Sequence, residues 1–129
     1  MRLTGLLAGA ALLLPLEAVI ALGLGDLRVE STLNQNLHAR IELRNVAAGD
    51  IDGMTVRVAD PEIFESAGLQ RSHLMNQLKF EPVSTTAGAG YIQVTSRERI
   101  REPYLNLIVE VQWPNGKVLR EYTVLLRTP

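Results

Sequence analysis

The densest set of side chains able to do chemistry in this sequence is "SRERIREP", Ser96 to Pro103. Arg97, Arg99 and Arg101 alternate there with Glu98, Ile100 and Glu102. At strand spacing the three arginines share one face, and Glu98 and Glu102 fall on the other. A row of guanidinium groups offers paired N–H donors to carboxylates and phosphates. Such a face suits an acidic protein surface or an anionic glycan. The plainer reading is a solvated connection whose charges pair with one another, because exposed pairs of this kind contribute little. Pro103 keeps Glu102 extended and marks where a long strand begins.

Other chemistries find less material. There is no cysteine, which rules out thiol catalysis and thiolate metal sites. His38 and His73 are the two histidines, and neither has a spaced His, Asp or Glu partner of the metal-ligand kind. Serines 31, 66, 72, 84 and 96 lack a nucleophile-elbow context. "DIDG", Asp50 to Gly53, opens like a calcium loop but lacks the later acidic ligands, so a solvated turn is expected. "GAG", Gly88 to Gly90, lacks the lysine and the strand-to-helix setting of a phosphate cradle and reads as a flexible hairpin loop. No catalytic, cofactor-binding or metal-ligating residue is expected, and the protein is read as not an enzyme. A formal net charge of -1 gives no electrostatic push toward nucleic acid.

The elements that must position these residues are strands. "LRVES" sets Leu27 and Val29 on one side. "LHARIEL" sets Leu37, Ala39, Ile41 and Leu43 against His38, Arg40 and Glu42. Val56 with Val58, Leu78 with Phe80, and Ile92 with Val94 repeat the pattern. Each is a half-buried strand with one wet face. One segment differs. "DPEIFESAGL" opens on Asp60 as N-cap, with Pro61 next and Gly68 past the end, which predicts a short helix near residues 61–67 with Ile63, Phe64 and Ala67 inward.

The final hairpin carries the strongest alternation. A two-residue Asn115-Gly116 loop of type I′ pairs Trp113 with Val118, Val111 with Arg120, Val109 with Tyr122, Leu107 with Val124 and Leu105 with Leu126. One face is then apolar except for Arg120, which makes Arg120 a candidate partner-binding residue. Glu110 falls opposite Glu121, an arrangement that repels. Both strands are long, which places them centrally in a sheet. Seven short one-sided strands with turns between them predict two sheets face to face. The expected fold is all-β, an immunoglobulin-like sandwich of about seven strands with one short helix, with a small open barrel as the alternative.

Residues 1–21 read as a secretory signal, with an uncleaved N-terminal anchor as the alternative: Arg2, an uncharged apolar run from Leu3 to Leu16, then Val19 and Ala21 before the cut. The mature domain is expected from residue 22 to 129. The chain is 129 residues long, so this is one small domain without disulfides, resting on its apolar core.

Several quoted pieces together resemble a known family. "LGLG", the "LNQ.L.A.IEL" pattern within residues 33–43, the Pro-Glu-x-Phe-x-x-Ala-Gly-Leu helix, "TSRERIREPYLN" and the closing "W-P-x-G-x-x-x-R-E-Y-T-V-L-L" occur in the order seen in the N-terminal periplasmic domain of the FimV family. The resemblance covers residue 22 to about 126. It implies an exported domain of a large inner-membrane protein of Gram-negative bacteria, normally followed by a peptidoglycan-binding LysM module, a membrane span and a cytoplasmic repeat region. It implies a role in type IV pilus assembly, twitching motility and cell-pole organisation. Envelope or pilus-assembly proteins are the implied partners, with peptidoglycan as the alternative ligand and membrane attachment only through a downstream segment. The resemblance supplies no catalytic or binding residues. It does make Asn106, within one of its most specific motifs, a candidate beside Arg97, Arg99, Arg101 and Arg120. The sequence stops at Thr128-Pro129, where a linker would start, so a piece of a longer protein and a free-standing relative both stay open.

Overall fold

A computed structural model describes residues 22–86 and 88–129. The proposed signal at residues 1–21 lies outside the described residues. Seven strands form in chain order: β1 (Gly23–Val29), β2 (Asn36–Val46), β3 (Thr55–Val58), β4 (Leu78–Ser84), β5 (Gly88–Arg99), β6 (Tyr104–Trp113) and β7 (Gly116–Leu125). Between β3 and β4 lie the helix α1 (Pro61–Ser66) and a single 3-10 stretch, His73–Gln77.

The strands build two antiparallel sheets. One has the order β1-β2-β5-β4 and the other β3-β6-β7. Lettered A to G in chain order, these are the A-B-E-D and C-F-G sheets of an immunoglobulin constant domain. The alternation seen in the sequence is the cause. Leu37, Ala39, Ile41 and Leu43 of β2, and Ile92 and Val94 of β5, are buried from one sheet. Leu105, Leu107, Val109 and Val111 of β6, with Tyr122 and Val124 of β7, meet them from the other. Phe64 and Met75 enter the same core from the β3–β4 connection.

The helix obeys its sequence signals at the C-terminal end. Gly68 is left-handed (φ +76), Leu69 N–H bonds the Phe64 carbonyl at 2.8 Å and Gly68 N–H bonds Glu65 at 3.0 Å, a Schellman close. The N-terminal end differs. The Asp60 side chain makes no capping bond and accepts instead from Arg57 at 3.0 Å. Ala67, expected inward, is exposed, because the helix ends at Ser66 and only Phe64 is buried from it.

The hairpin register is two residues from the expected one. Trp113 pairs with Gly116, Val111 with Val118, Val109 with Arg120, Leu107 with Tyr122 and Leu105 with Val124. The loop is therefore Pro114-Asn115. Neither Asn115 nor Gly116 has a positive φ, so the turn is not type I′. Proline second and glycine fourth are instead the preferences of a type I turn. Gly116 is needed for another reason: a Cβ there would lie 2.9 Å from the Trp113 ring. Because the slip is by two, every side chain keeps its predicted face. It also removes the expected repulsion, since Glu110 now faces Leu119 and Glu121 faces Ile108. Of the two long strands only β6 is central; β7 is an edge.

Two loops also differ from expectation. Gly88 to Gly90 belong to β5, with Gly90 paired to Leu43 and Ser84. Asp50 is buried rather than solvated, its carboxylate accepting from Ala47 N–H at 2.8 Å.

Candidate functional site

The end of β5 leaves its sheet in a specific way. The β2–β5 register shifts between Asn36 and His38, so the strand bulges as it reaches Arg97. Several hydrogen bonds then hold the bulged backbone. Asn36 Nδ2 donates to the carbonyls of Ser96 (3.4 Å) and Arg97 (3.2 Å). Gln77, at the end of the 3-10 stretch, accepts from Glu98 N–H at 2.7 Å. The buried Ser96 hydroxyl accepts from Leu37 N–H (2.7 Å) and donates to the Glu98 carbonyl (2.6 Å). Ile100 N–H bonds Gln35 at 2.9 Å, and Asn34 N–H returns to the Ile100 carbonyl at 2.8 Å. Asn34 sits at φ 70, a left-handed conformation asparagine tolerates, so that its N–H can reach. Ile100 itself is fully buried.

The backbone is thus fixed while the charged side chains project. Arg97, Arg99 and Arg101 are exposed and border one cleft together with Asn36, Leu74, Glu98 and Glu102. The expected separation of arginines from glutamates onto two faces does not occur, because the bulge breaks the alternation between Ser96 and Ile100. The expected mutual pairing is absent too. Among the described residues, no carboxylate lies within ion-pair distance of Arg97, Arg99 or Arg101.

The other charged surfaces are more fully engaged. A wider depression lies over the outer face of the four-stranded sheet. There Arg40 contacts Glu30 at 3.5 Å and covers the Tyr91 ring at 4.4 Å, while Arg44 pairs with Glu42 at 2.8 Å. On the other sheet, Arg57 donates to Glu110 at 3.1 Å and to Asp60 at 3.0 Å. The hydrogen bond and charge of Arg57 hold the Asp60 carboxyl below its usual range. Glu110 is buried and hydrogen-bonded, so this cluster belongs to the fold.

The two remaining candidates stand apart from the cleft. Asn106 lies on β6 and accepts from the Thr123 hydroxyl at 3.1 Å. Arg120 reaches across to β1, where it donates to the carbonyls of Leu24 and, at 3.0 Å, Gly25. Tyr122 OH donates to the same Gly25 carbonyl at 2.8 Å. These contacts explain a cation in an apolar row. Three residues that shape the cleft escaped sequence reasoning: Asn36, Gln77 and Ser96. An amide at the first residue of a strand was the available signal for Asn36.

Comparison with known proteins agrees with the sandwich and its motifs. The family model described as the FimV N-terminal domain, an Ig-like domain, matches residues 22–129. The chain belongs to the FimV N-terminal domain family. The FimV motility hub protein of Pseudomonas aeruginosa, in two strains, is 47% identical over 111 residues. That match covers 84% of this chain and 12% of the relative, so the chain spans a small part of the curated relatives' length. No solved structure matches. The stretches "LNQN" and "SRERI" have a physical relation: the first holds the second through Asn34, Gln35 and Asn36. Among the described residues, no helix is long and apolar enough to cross a membrane.

Proposed function

We propose that this domain is a non-catalytic interaction module of the bacterial envelope that docks a partner protein through Arg97, Arg99 and Arg101. In this reading it is exported to the periplasm and supports type IV pilus assembly, twitching motility or organisation of the cell pole. Family membership and the relatives' name as motility hub proteins support the setting. The carrying observation is local: three arginines without an ion-pair partner among the described residues stand on a backbone held from two other parts of the chain. A pre-ordered backbone lowers the ordering cost of association. Exposed arginines without internal partners are free to fork onto carboxylates. Glu98 and Glu102 in the same cleft favour a partner that brings both signs of charge. Nothing in the cleft pairs a nucleophile with a base.

A peptidoglycan-binding reading has less behind it. Sugar rings stack on free aromatic faces; Trp113 packs over Gly116 and Tyr91 is covered by Arg40, which leaves only Tyr104 exposed among the described Trp and Tyr residues. Photo-cross-linking from Arg99 and from the exposed Glu81 in living cells tests the docking reading. Partner adducts from Arg99 and not from Glu81 are expected; adducts to glycan alone, or equally from both positions, contradict it.

A further inference from the structure

A sandwich of two open sheets has four edge strands, and each exposed edge is a template for another strand. Three of the four are blocked here. β3 has only four residues. β4 carries Pro82, which has no N–H to offer. β1 has a register shift between Leu24 and Leu27, and its Leu24 and Gly25 carbonyls are taken by Arg120 and Tyr122. β7 is different. It runs ten residues, Gly116 to Leu125, in one unbroken register with β6, without proline or bulge. In an antiparallel ladder every second residue turns its N–H and C=O away from the paired strand. Among the described residues, no other backbone group bonds to those of β7.

We propose that β7 is an interface between two copies of this domain, joined by antiparallel pairing about a two-fold axis through Leu119. The outward side chains argue for a second copy over an unrelated peptide. Lys117, Leu119 and Glu121 project on the outer face and are exposed. When Leu119 faces Leu119 of the second copy, Lys117 faces its Glu121 on both sides of the axis. An apolar centre flanked by two opposite-charge pairs is a stabilising cross-strand set. Pairing one strand-step (two residues) toward the C-terminus sets Arg120 opposite Arg120, and one step toward the N-terminus sets Lys117 opposite Leu119, which loses both charge pairs. Pairing two steps toward the C-terminus sets Glu121 opposite Glu121. The remaining neighbour to consider is Glu110, which approaches Lys117 at 3.9 Å and leaves its ammonium exposed. An isologous contact of this kind closes at a dimer and joins two three-stranded sheets into one of six.

Sedimentation of the purified protein over a concentration series tests the proposal. Wild type is expected to dimerise, with the dimer weakened by added salt. Glu121→Lys and Lys117→Glu are each expected to be monomeric; thermal unfolding is expected to be unchanged for the exposed Glu121→Lys and lowered for Lys117→Glu, which sets a carboxylate beside Glu110. An equimolar mixture of the two variants is expected to regain the dimer, because each supplies the charge the other has lost. The chain has no cysteine, so Leu119→Cys is expected to form a disulfide with its own copy on mild oxidation, and Leu125→Cys is not. A wild-type monomer at all concentrations to about 1 mM overturns the proposal. Dimerisation that Glu121→Lys leaves unchanged overturns it too. A monomer whose β7 amides become protected only on adding envelope extract assigns the edge to another protein, and equally overturns it.

Discussion

Arg120 on β7 donates to the Gly25 carbonyl on β1 at 3.0 Å, tying the edge of one sheet to the edge of the other. Tyr122 shares that carbonyl. The pair closes the β1–β7 side of the sandwich and satisfies carbonyls at the β1 bulge. Arg120→Met keeps the apolar stem and removes the donors. It is expected to cost about 2 kcal/mol in urea unfolding, with Tyr122→Phe costing about 1 kcal/mol.

The same tyrosine carries a pH signature. Burial pushes the Tyr122 phenol above its ordinary range. In alkali the unfolded chain therefore loses its proton first, and unfolding releases a proton. Stability contributed by this phenol is present below about pH 10 and falls as pH rises beyond it. Chemical denaturation at several alkaline pH values is expected to show a shallower loss for Tyr122→Phe than for wild type.

Gly116 and Trp113 give a packing test. A methyl at Gly116 meets the indole at 2.9 Å, while the backbone there is open to any residue. Gly116→Ala is expected to destabilise by about 1 kcal/mol, the low end for overpacking against a side chain that can shift. In a Trp113→Leu background that cost is expected to vanish. A Gly116→Ala penalty that persists there would place the constraint in the backbone.

The contrast between Gly116 and Gly68 shows what the sequence made legible. Gly68 obeys a local rule, a left-handed residue after a helix, and marks the helix end to within one residue. Gly116 was assigned the same kind of role in the hairpin, but its constraint comes from a neighbouring side chain. The faces of β2, β5, β6 and β7 were legible because alternation has a period of two, and a two-residue slip does not disturb it. The site was legible in part. Arg97, Arg99 and Arg101 stood out by charge. Their support did not, because Asn36 and Gln77 lie 60 and 21 residues from the backbone groups they bond. Placing β7 at an edge, and turning Arg120 toward β1, likewise depends on which strands meet in space.

Ser96 connects the fold to the cleft. Ser96→Ala leaves the Leu37 N–H of a buried strand without an acceptor and frees the Glu98 carbonyl. A loss of about 2 kcal/mol is expected. Hydrogen exchange of the Glu98 and Ile100 amides is expected to rise more than exchange in β6, because the bulge loses its support before the core does.

The proposed role of the arginine cleft in motility is open to direct test. The direct test replaces the N-terminal domain of the Pseudomonas aeruginosa FimV with this one and scores twitching. The chimera is expected to twitch. The same chimera carrying Arg97→Glu, Arg99→Glu and Arg101→Glu is expected to lose twitching at equal protein level and unchanged domain stability. Full twitching by the triple variant would contradict the assignment of the cleft.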